Sequence, residues 1–216
     1  MSSMLKVAQH LFRTPIFLLL SAGFILAADS VALRDAKLVL EKLAQQHREA
    51  KSFSLKFESR AVGADGEFLP GNKGSLVSAD SGRFRLEHAQ GVVVCDGKTL
   101  WQYVPENKQV ILRDASDAGS AGGVLLRFLQ AKPLRAVRQG AGLLRVVLDP
   151  ASVGENLDSL ILTIDDVKSV VREVDSQDPA GNRVLYAVKS LRYDENPRPG
   201  LFVFKAPKGV EIVDMR

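Results

Sequence analysis

Residues 93–110 read VVCDGKTLWQYVPENKQV, and this stretch indicates the fold class of the chain. An apolar run ends at Asp96-Gly97, a pair typical of a type I′ turn, which needs positive φ at two successive residues. Large side chains follow the pair in alternation, and a second turn falls at residues 105–107. The stretch therefore predicts a β-meander with two close reversals, and its apolar and aromatic surface suits contact with an apolar ligand.

Strand-like sequence continues on both sides of this meander. Phe53, Leu55 and Phe57 alternate with polar residues, which predicts a strand with one apolar face. Further strand-like runs, separated by turn sequences, occupy residues 74–78, 84–88, 143–148, 157–164, 170–174 and 184–191. Many short and regularly spaced strands predict a mainly β chain that forms a strongly curved antiparallel sheet or an incomplete barrel, rather than a βαβ fold.

Two helices interrupt the strand pattern. Residues 31–50 repeat apolar side chains every three or four positions, which predicts an amphipathic helix with Ser30 as its N-cap. Between residues 116 and 140 the strand pattern stops, and the apolar run at residues 124–129 predicts a short helix that Pro133 ends. Glycines precede this helix, so it is either part of the core packing or a mobile flap over an apolar cleft.

The N-terminus has the pattern of a secretory signal peptide. Residues 1–13 contain basic side chains and no acidic one, and residues 15–28 are apolar and end in small side chains. We predict a signal peptide at residues 1–28, cleaved at its C-terminal alanines, and a single domain at residues 29–216. An uncleaved membrane anchor is the alternative, although spanning a bilayer needs about 20 apolar residues.

Charge and cysteine content exclude several classes of function. The chain has a net charge of +4, and the predicted signal peptide holds two basic residues and no acidic one, which leaves +2. This charge is too weak for nucleic-acid binding, which calls for a concentrated basic surface. The only cysteine, Cys95, follows an apolar run, and we predict a buried and unreactive thiol.

The sequence lacks the usual motifs of catalytic and metal sites. His47 falls on the polar side of the first predicted helix and His88 at a strand end, without a second ligand at metal-binding spacing, which predicts solvated or capping roles. No Gly-x-Ser-x-Gly motif marks a nucleophile. Asp165 and Asp166 lie between two predicted strands, which favours a turn over metal or glycosidase chemistry. We therefore predict no catalytic residue, no metal, no cofactor and no enzymatic activity.

Three segments carry a family resemblance: DGKTLWQYVP at residues 96–105, RFRLE at residues 83–87 and FVFKAPKGVEIVD at residues 202–214. Through these segments, and through their order behind a signal peptide and a leading helix, the chain resembles the LolA-type outer-membrane lipoprotein carrier protein family. The resemblance covers essentially all of residues 29–216. It implies an unclosed antiparallel β-barrel whose concave apolar face is covered by a helical lid.

The resemblance also implies a function. It suggests a monomeric periplasmic chaperone that binds the acyl chains of lipoproteins released from the inner membrane and delivers them to the outer membrane. The implied partners are acylated lipoproteins, an inner-membrane lipoprotein-releasing ABC transporter and an outer-membrane lipoprotein acceptor. Two alternatives stay open: a carrier of the same fold for another lipid, and a regulatory module that senses mislocalised lipoproteins.

We assign one face of the sheet to the lipid-binding cavity and the short helix to the lid. The predicted cavity-lining residues are large and apolar or aromatic: Leu55, Phe57, Leu76, Phe84, Leu86, Trp101 and Tyr103. The predicted lid residues are the four bulky residues of the short helix: Leu125, Leu126, Phe128 and Leu129. For each of these residues, a place in a closed hydrophobic core is the alternative.

One position departs from the family pattern. The resemblance implies an arginine that closes the lid by hydrogen bonds, and this chain has Asp80 nearest to that place. Arg83 and Arg85 are the candidate replacements for this latch. Residues two apart on a strand share a face, so both arginines point away from the face of Phe84. If Phe84 faces the cavity, neither arginine reaches the lid without a bulge, and apolar contacts hold the lid instead.

Overall fold

The computed structural model describes residues 20–118, 121–140, 142–154 and 156–216. These residues contain two α-helices, α1 (Leu20–Glu49) and α2 (Ala121–Gln130), and three short 3-10 helices (Ala115–Ala118, Pro150–Val153 and Pro199–Phe202). They also contain twelve strands: β1 (Ser52–Val62), β2 (Phe68–Ala79), β3 (Phe84–His88), β4 (Gly91–Cys95), β5 (Thr99–Val104), β6 (Gln109–Asp114), β7 (Pro133–Gln139), β8 (Leu143–Leu148), β9 (Ser159–Asp165), β10 (Val170–Gln177), β11 (Arg183–Tyr193) and β12 (Glu211–Asp214).

All twelve strands join one sheet in the order β12-β6-β5-β4-β3-β2-β1-β11-β10-β9-β8-β7. Neighbouring strands are antiparallel, except that β12 lies parallel to β6. Strands β12 and β7 are the two edges and do not pair with each other, so the sheet stays open. The predicted fold class, a mainly β chain with an unclosed antiparallel barrel, is confirmed.

Irregular registers contribute to the curvature of the sheet. Strand β1 has a shift between Lys56 and Phe57 opposite β11, and another between Ser59 and Ala61 opposite β2. A third shift lies in β10, opposite β9. A bulge bends its strand and increases the local twist, so these irregularities wrap the sheet around a concave face.

The predicted meander is present as β4, β5 and β6, but its first turn differs from the prediction. It is a three-residue loop in which Gly97 has a φ of +96° and Asp96 does not have positive φ. The Asp96 carboxylate accepts hydrogen bonds from the backbone N–H groups of Lys98 and Thr99, both at 2.8 Å. This side chain supports the reversal, so only one residue needs positive φ and a type I′ turn is not required.

The first helix is longer than predicted. Helix α1 runs without a break from Leu20 to Glu49, so Ser30 lies inside the helix and is not its N-cap. The predicted signal peptide begins in residues outside the described part of the chain, and its cleavage stays a prediction. Further along the helix, the predicted apolar side is confirmed, since Ala36 and Leu40 are buried in the main core.

Helix α2 confirms the second predicted helix, but the predicted absence of strands around it is wrong. Strand β7 begins at Pro133, shortly after α2 ends at Gln130, and pairs with β8 at the edge of the sheet. Its sequence carries little apolar signal, because Ala136 is its only buried residue. Proline fits at the first residue of an edge strand, where no ladder hydrogen bond from its nitrogen is needed.

The main hydrophobic core lies under α1 on one half of the concave face. Alternate residues of β8 and β9 are fully buried there: Leu144, Val146, Leu148, Leu160, Leu162 and Ile164. On the other half, Phe84, Cys95 and Leu100 form a smaller cluster. The concave face is therefore filled by α1 at one side and remains open for a cavity in the middle.

Candidate functional site: an apolar cavity beneath α2

A cavity of about 400 Å³ lies between the middle of the concave face and α2. Its wall is formed by thirteen residues: Phe53, Leu55, Phe57, Leu76, Leu125, Phe128, Leu157, Val171, Val174, Ser176, Tyr186, Val188 and Leu191. Among them only Ser176 and Tyr186 carry a hydroxyl group, and none carries a charge. The volume is at the lower end of the range of about 300–1,000 Å³ typical of ligand pockets.

Strand register explains why these side chains meet. Leu55 pairs with Leu76 of β2 and with Leu191 of β11, and residues paired across strands share a face of the sheet. Phe53 and Phe57 lie two residues on either side of Leu55 and therefore point to the same face. The structure thus places Leu55, Phe57 and Leu76 on the cavity wall, together with Phe53, which was not predicted there.

Phe57 fits into this wall because its partner across the strand pair is a glycine. A Cβ atom at Gly74 would lie only 2.3 Å from the Cζ atom of Phe57, so the ring occupies the space that a side chain at Gly74 would need. On its other side the ring meets Tyr186 edge-on, with the ring centroids 5.8 Å apart. Tyr186 is 38% exposed, so this aromatic pair marks the end of the cavity that opens to solvent.

Helix α2 presents one side to the cavity and another to α1. Leu125 and Phe128, three residues apart on the helix, line the cavity. Leu129 is almost fully buried in the main core, and Leu126 packs partly against the same core. Leu125 and Phe128 also pack against this core, so two of the four predicted lid residues line the cavity and all four help to anchor the helix.

An aromatic cluster lies at the opposite end of the cavity. The His47 ring packs against Phe53, with centroids 4.9 Å apart, and its Nδ1 atom lies 3.4 Å from the hydroxyl oxygen of Tyr193. Burial raises the pKa of Tyr193 to about 12. His47 is only 8% exposed, so its predicted solvated position is wrong. The last turn of α1 directs this side chain at β1 and β11, which the helical pattern alone does not show.

Two predicted cavity residues lie on the concave face but outside the cavity. Leu86 pairs with Leu76 and shares its face. Phe84 is buried with Cys95 and Leu100 in the smaller cluster, which Leu76 also touches. The predicted burial of the Cys95 thiol is confirmed, and this burial raises its pKa.

The prediction that Trp101 and Tyr103 line the cavity is wrong. They alternate with Gln102, whose partner Val93 packs against the smaller cluster on the concave face, so both rings point to the opposite, convex face. Phe204 covers them there, with centroid distances of 6.3 Å to Trp101 and 6.4 Å to Tyr103. Phe204 belongs to the C-terminal segment, residues 194–210, which links β11 to β12.

The predicted latch residues hold this C-terminal segment instead of the lid. Arg83 forms an ion pair with Asp80 at 2.6 Å, and its guanidinium carbon lies 5.4 Å from the ring centroid of Phe202. Arg85 donates a hydrogen bond to the backbone carbonyl of Leu201 at 3.5 Å. Both arginines point to the convex face because Phe84, between them, points to the concave face. This placement contradicts the predicted arginine latch.

The predicted turn after the acidic pair is present: Asp165 is the last residue of β9, and Asp166 begins the turn to β10. Asp165 accepts hydrogen bonds from the Arg172 guanidinium at 2.7 Å and from the backbone N–H of Lys168, and both hold the pKa of this carboxyl below its ordinary value. Asp166 forms an ion pair with Arg138.

Within the described ranges, no three His, Cys, Asp or Glu side chains come together as a metal site would require. Neither of the described α-helices combines the length and the apolar character of a membrane span.

A comparison with known families agrees with this architecture. The family model for the outer membrane lipoprotein carrier protein LolA matches residues 48–205 of the chain. The chain belongs to the LolA family. The matched region runs from β1 through β11, so it contains α2 and every residue of the cavity wall.

Individual relatives cover most of this LolA-family chain. The outer-membrane lipoprotein carrier protein of Vibrio parahaemolyticus is 27% identical over 203 residues, which cover 92% of this chain and 94% of that protein. The carrier protein of Actinobacillus succinogenes is 27% identical over 191 residues, which cover 86% and 88% of the two chains. The crystal structure of an uncharacterized conserved protein from Thermus thermophilus superposes with a TM-score of 0.54 at 13% identity, covering 83% of this chain and 98% of that one, and supports the fold alone.

The sequence did not predict that residues from β10 and β11 line the cavity. Val174, Tyr186, Val188 and Leu191 all line the cavity of this LolA-family chain. Their strands are recognisable in the sequence, but β11 pairs with β1 from the opposite end of the domain. Strand periodicity does not reveal such long-range pairing, so the sequence shows apolar strand faces without showing which of them meet.

Proposed function

We propose that this LolA-family chain is a periplasmic carrier that buries the acyl chains of lipoproteins beneath α2 and carries them from the inner to the outer membrane. The observation that carries the proposal is the cavity itself, because eleven of its thirteen wall residues are apolar and none is charged. Each methylene group exposed to water costs about 0.8 kcal/mol, so an acyl chain needs such an enclosure to cross an aqueous compartment.

Loading would require α2 to move. The cavity of about 400 Å³ is small for a lipid with several acyl chains, and Leu125 and Phe128 form part of its wall. Displacement of α2 from the sheet enlarges the cavity. Opening also costs the packing energy between α2 and the sheet, and this cost offsets part of the binding free energy, which assists release.

The proposed donor is an inner-membrane lipoprotein-releasing ABC transporter and the proposed receiver is an outer-membrane lipoprotein acceptor. The carrier acts as a monomer and without enzymatic activity.

A binding assay with a matched pair of variants tests this proposal. The probe is an acylated peptide with an environment-sensitive dye, because Trp101 lies on the convex face and does not report on the cavity. Phe128→Glu places a carboxylate on the cavity wall, and we expect at least about tenfold weaker binding, since burying an unpaired charge is costly. Leu38→Glu makes the same change on α1 at a residue that is 59% exposed, and should keep the native affinity.

Absence of saturable binding to the native chain would contradict the proposal, and so would equal affinities of the two variants. Depletion in the native host tests the transport step separately. Loss of a carrier leaves outer-membrane lipoproteins in the inner membrane, which fractionation of the two membranes measures. Correct sorting together with an altered stress response would instead identify a sensing module.

A further inference from the structure

Arg113 occupies an unusual place on the concave face. It pairs with Leu100, which belongs to the smaller cluster with Phe84 and Cys95, and paired residues share a face. In the fully described strands β2–β6, the register places no other lysine or arginine on this face. A permanent positive charge therefore lies on the same face of the sheet as the apolar wall of the cavity.

Within the described part of the chain, the charge of Arg113 is not paired with a carboxylate. The Nε atom of Arg113 is buried and makes no hydrogen bond to a described residue, and no described carboxylate lies within ion-pair distance. The other half-buried arginines of the described ranges are all paired with carboxylates: Arg83, Arg85, Arg145 and Arg172. Because a buried donor without an acceptor destabilises the protein, the position of Arg113 suits a ligand that supplies the missing acceptor.

A second polar side chain stands beside it. Gln102 is half-buried on the same face, one strand away from Arg113 and diagonal to it, and diagonal neighbours of this kind lie about 7–8 Å apart. Long side chains bridge that distance, so one anionic group can bind to both. Between them and the cavity, the concave face carries Leu86 and Val93, which are apolar and half-buried.

We propose that Arg113 and Gln102 bind the anionic headgroup, a phosphate or a carboxylate, of an acyl lipid whose chain extends over Leu86 and Val93 towards the cavity. A guanidinium binds either anion through two parallel hydrogen bonds. Arg113 lies on β6, and the cavity wall begins at Leu76 on β2, four strands away in the sheet. Four strand spacings correspond to a distance of about 19 Å across the sheet. This inference rests on the proposed carrier function and adds an anionic lipid to its cargo.

Isothermal titration of the full chain with two ligands of equal chain length tests the assignment. Decyl phosphate carries the anionic headgroup, and 1-decanol carries the same chain without charge. Arg113→Gln should weaken the binding of decyl phosphate by about tenfold or more and leave the affinity for 1-decanol within about twofold. Arg60→Gln is the control, since it removes the same charge from an exposed position and should change neither affinity.

Any other result of these titrations would contradict the proposed binding of the headgroup by Arg113. An equal loss of affinity for both ligands would give Arg113 a merely structural role, and no loss for decyl phosphate would make it a solvated side chain. Displacement of decyl phosphate by an equal concentration of inorganic phosphate would indicate a site for free anions rather than for a lipid. If the native chain binds 1-decanol but Arg113→Gln has no selective effect, only the headgroup site fails. If the native chain binds neither ligand, the carrier proposal fails with it.

Discussion

We expect Gly74→Ala to destabilise the protein through a single contact, the one with the ring of Phe57. A Cβ atom at position 74 would lie 2.3 Å from the ring Cζ atom, and 2.8 and 2.9 Å from its two Cε atoms. Such distances are far below van der Waals contact, so the ring has to move. Moving it disturbs the edge-on packing against Tyr186, whose centroid lies 5.8 Å away.

Two opposing effects set the size of this change. Overpacking of a well-filled site costs about 1–3 kcal/mol. Replacing a glycine inside a strand by alanine recovers about 0.5–1 kcal/mol, because the unfolded chain loses less backbone entropy on folding. The expected net decrease in the free energy of unfolding is up to about 2.5 kcal/mol, with a central value of about 1.3 kcal/mol. For a chain of this length, the central value corresponds to a Tm lower by about 3–5 °C and the upper limit to one lower by about 10 °C.

Thermal unfolding of a double-mutant cycle isolates the contact. All three close atoms belong to the outer part of the Phe57 ring, which a leucine side chain lacks. In a Phe57→Leu background, Gly74→Ala should therefore be neutral or stabilising by up to about 1 kcal/mol. The coupling free energy between the two sites should then be about 1–3 kcal/mol. An equal cost of Gly74→Ala in both backgrounds would refute the role assigned to the ring.

Two further predictions concern the convex face and the β9–β10 turn. Arg83→Leu and Arg85→Leu should leave uptake and transfer of acylated cargo nearly unchanged, because these arginines contact the C-terminal segment. Limited proteolysis of the variants should show faster cleavage within that segment. Arrested transfer with cargo still bound would contradict this view. Asp165→Asn should reduce the dependence of Tm on pH in the acidic range. Arg172 lowers the pKa of Asp165 in the folded protein, so the ionised Asp165 carboxylate stabilises the fold at pH values above its ordinary pKa of 3.8. This stabilisation is lost as the pH falls from 3.8 through the lowered pKa. An unchanged dependence of Tm on pH in Asp165→Asn would contradict this assignment.

Local sequence patterns were sufficient for the class of fold and for part of the cavity. Alternation of Phe53, Leu55 and Phe57 predicts a strand with one apolar face, and that face does line the cavity. The short helix that carries Phe128 was visible for the same reason, since helical and strand periodicities differ. Such patterns are properties of neighbouring residues, so they are present in the chain before any long-range contact forms.

Only the tertiary structure shows which face of each strand is covered, and which distant part of the chain covers it. Alternation shows that Trp101 and Tyr103 share a face, but the concave face holds Gln102 instead, and Phe204 from the far end of the chain covers the two rings. His47 likewise looks solvated on a helix diagram and is buried because β1 and β11 meet beneath the last turn of α1. In both cases the deciding partner is distant in sequence, and periodicity specifies the direction of a side chain only relative to its own element.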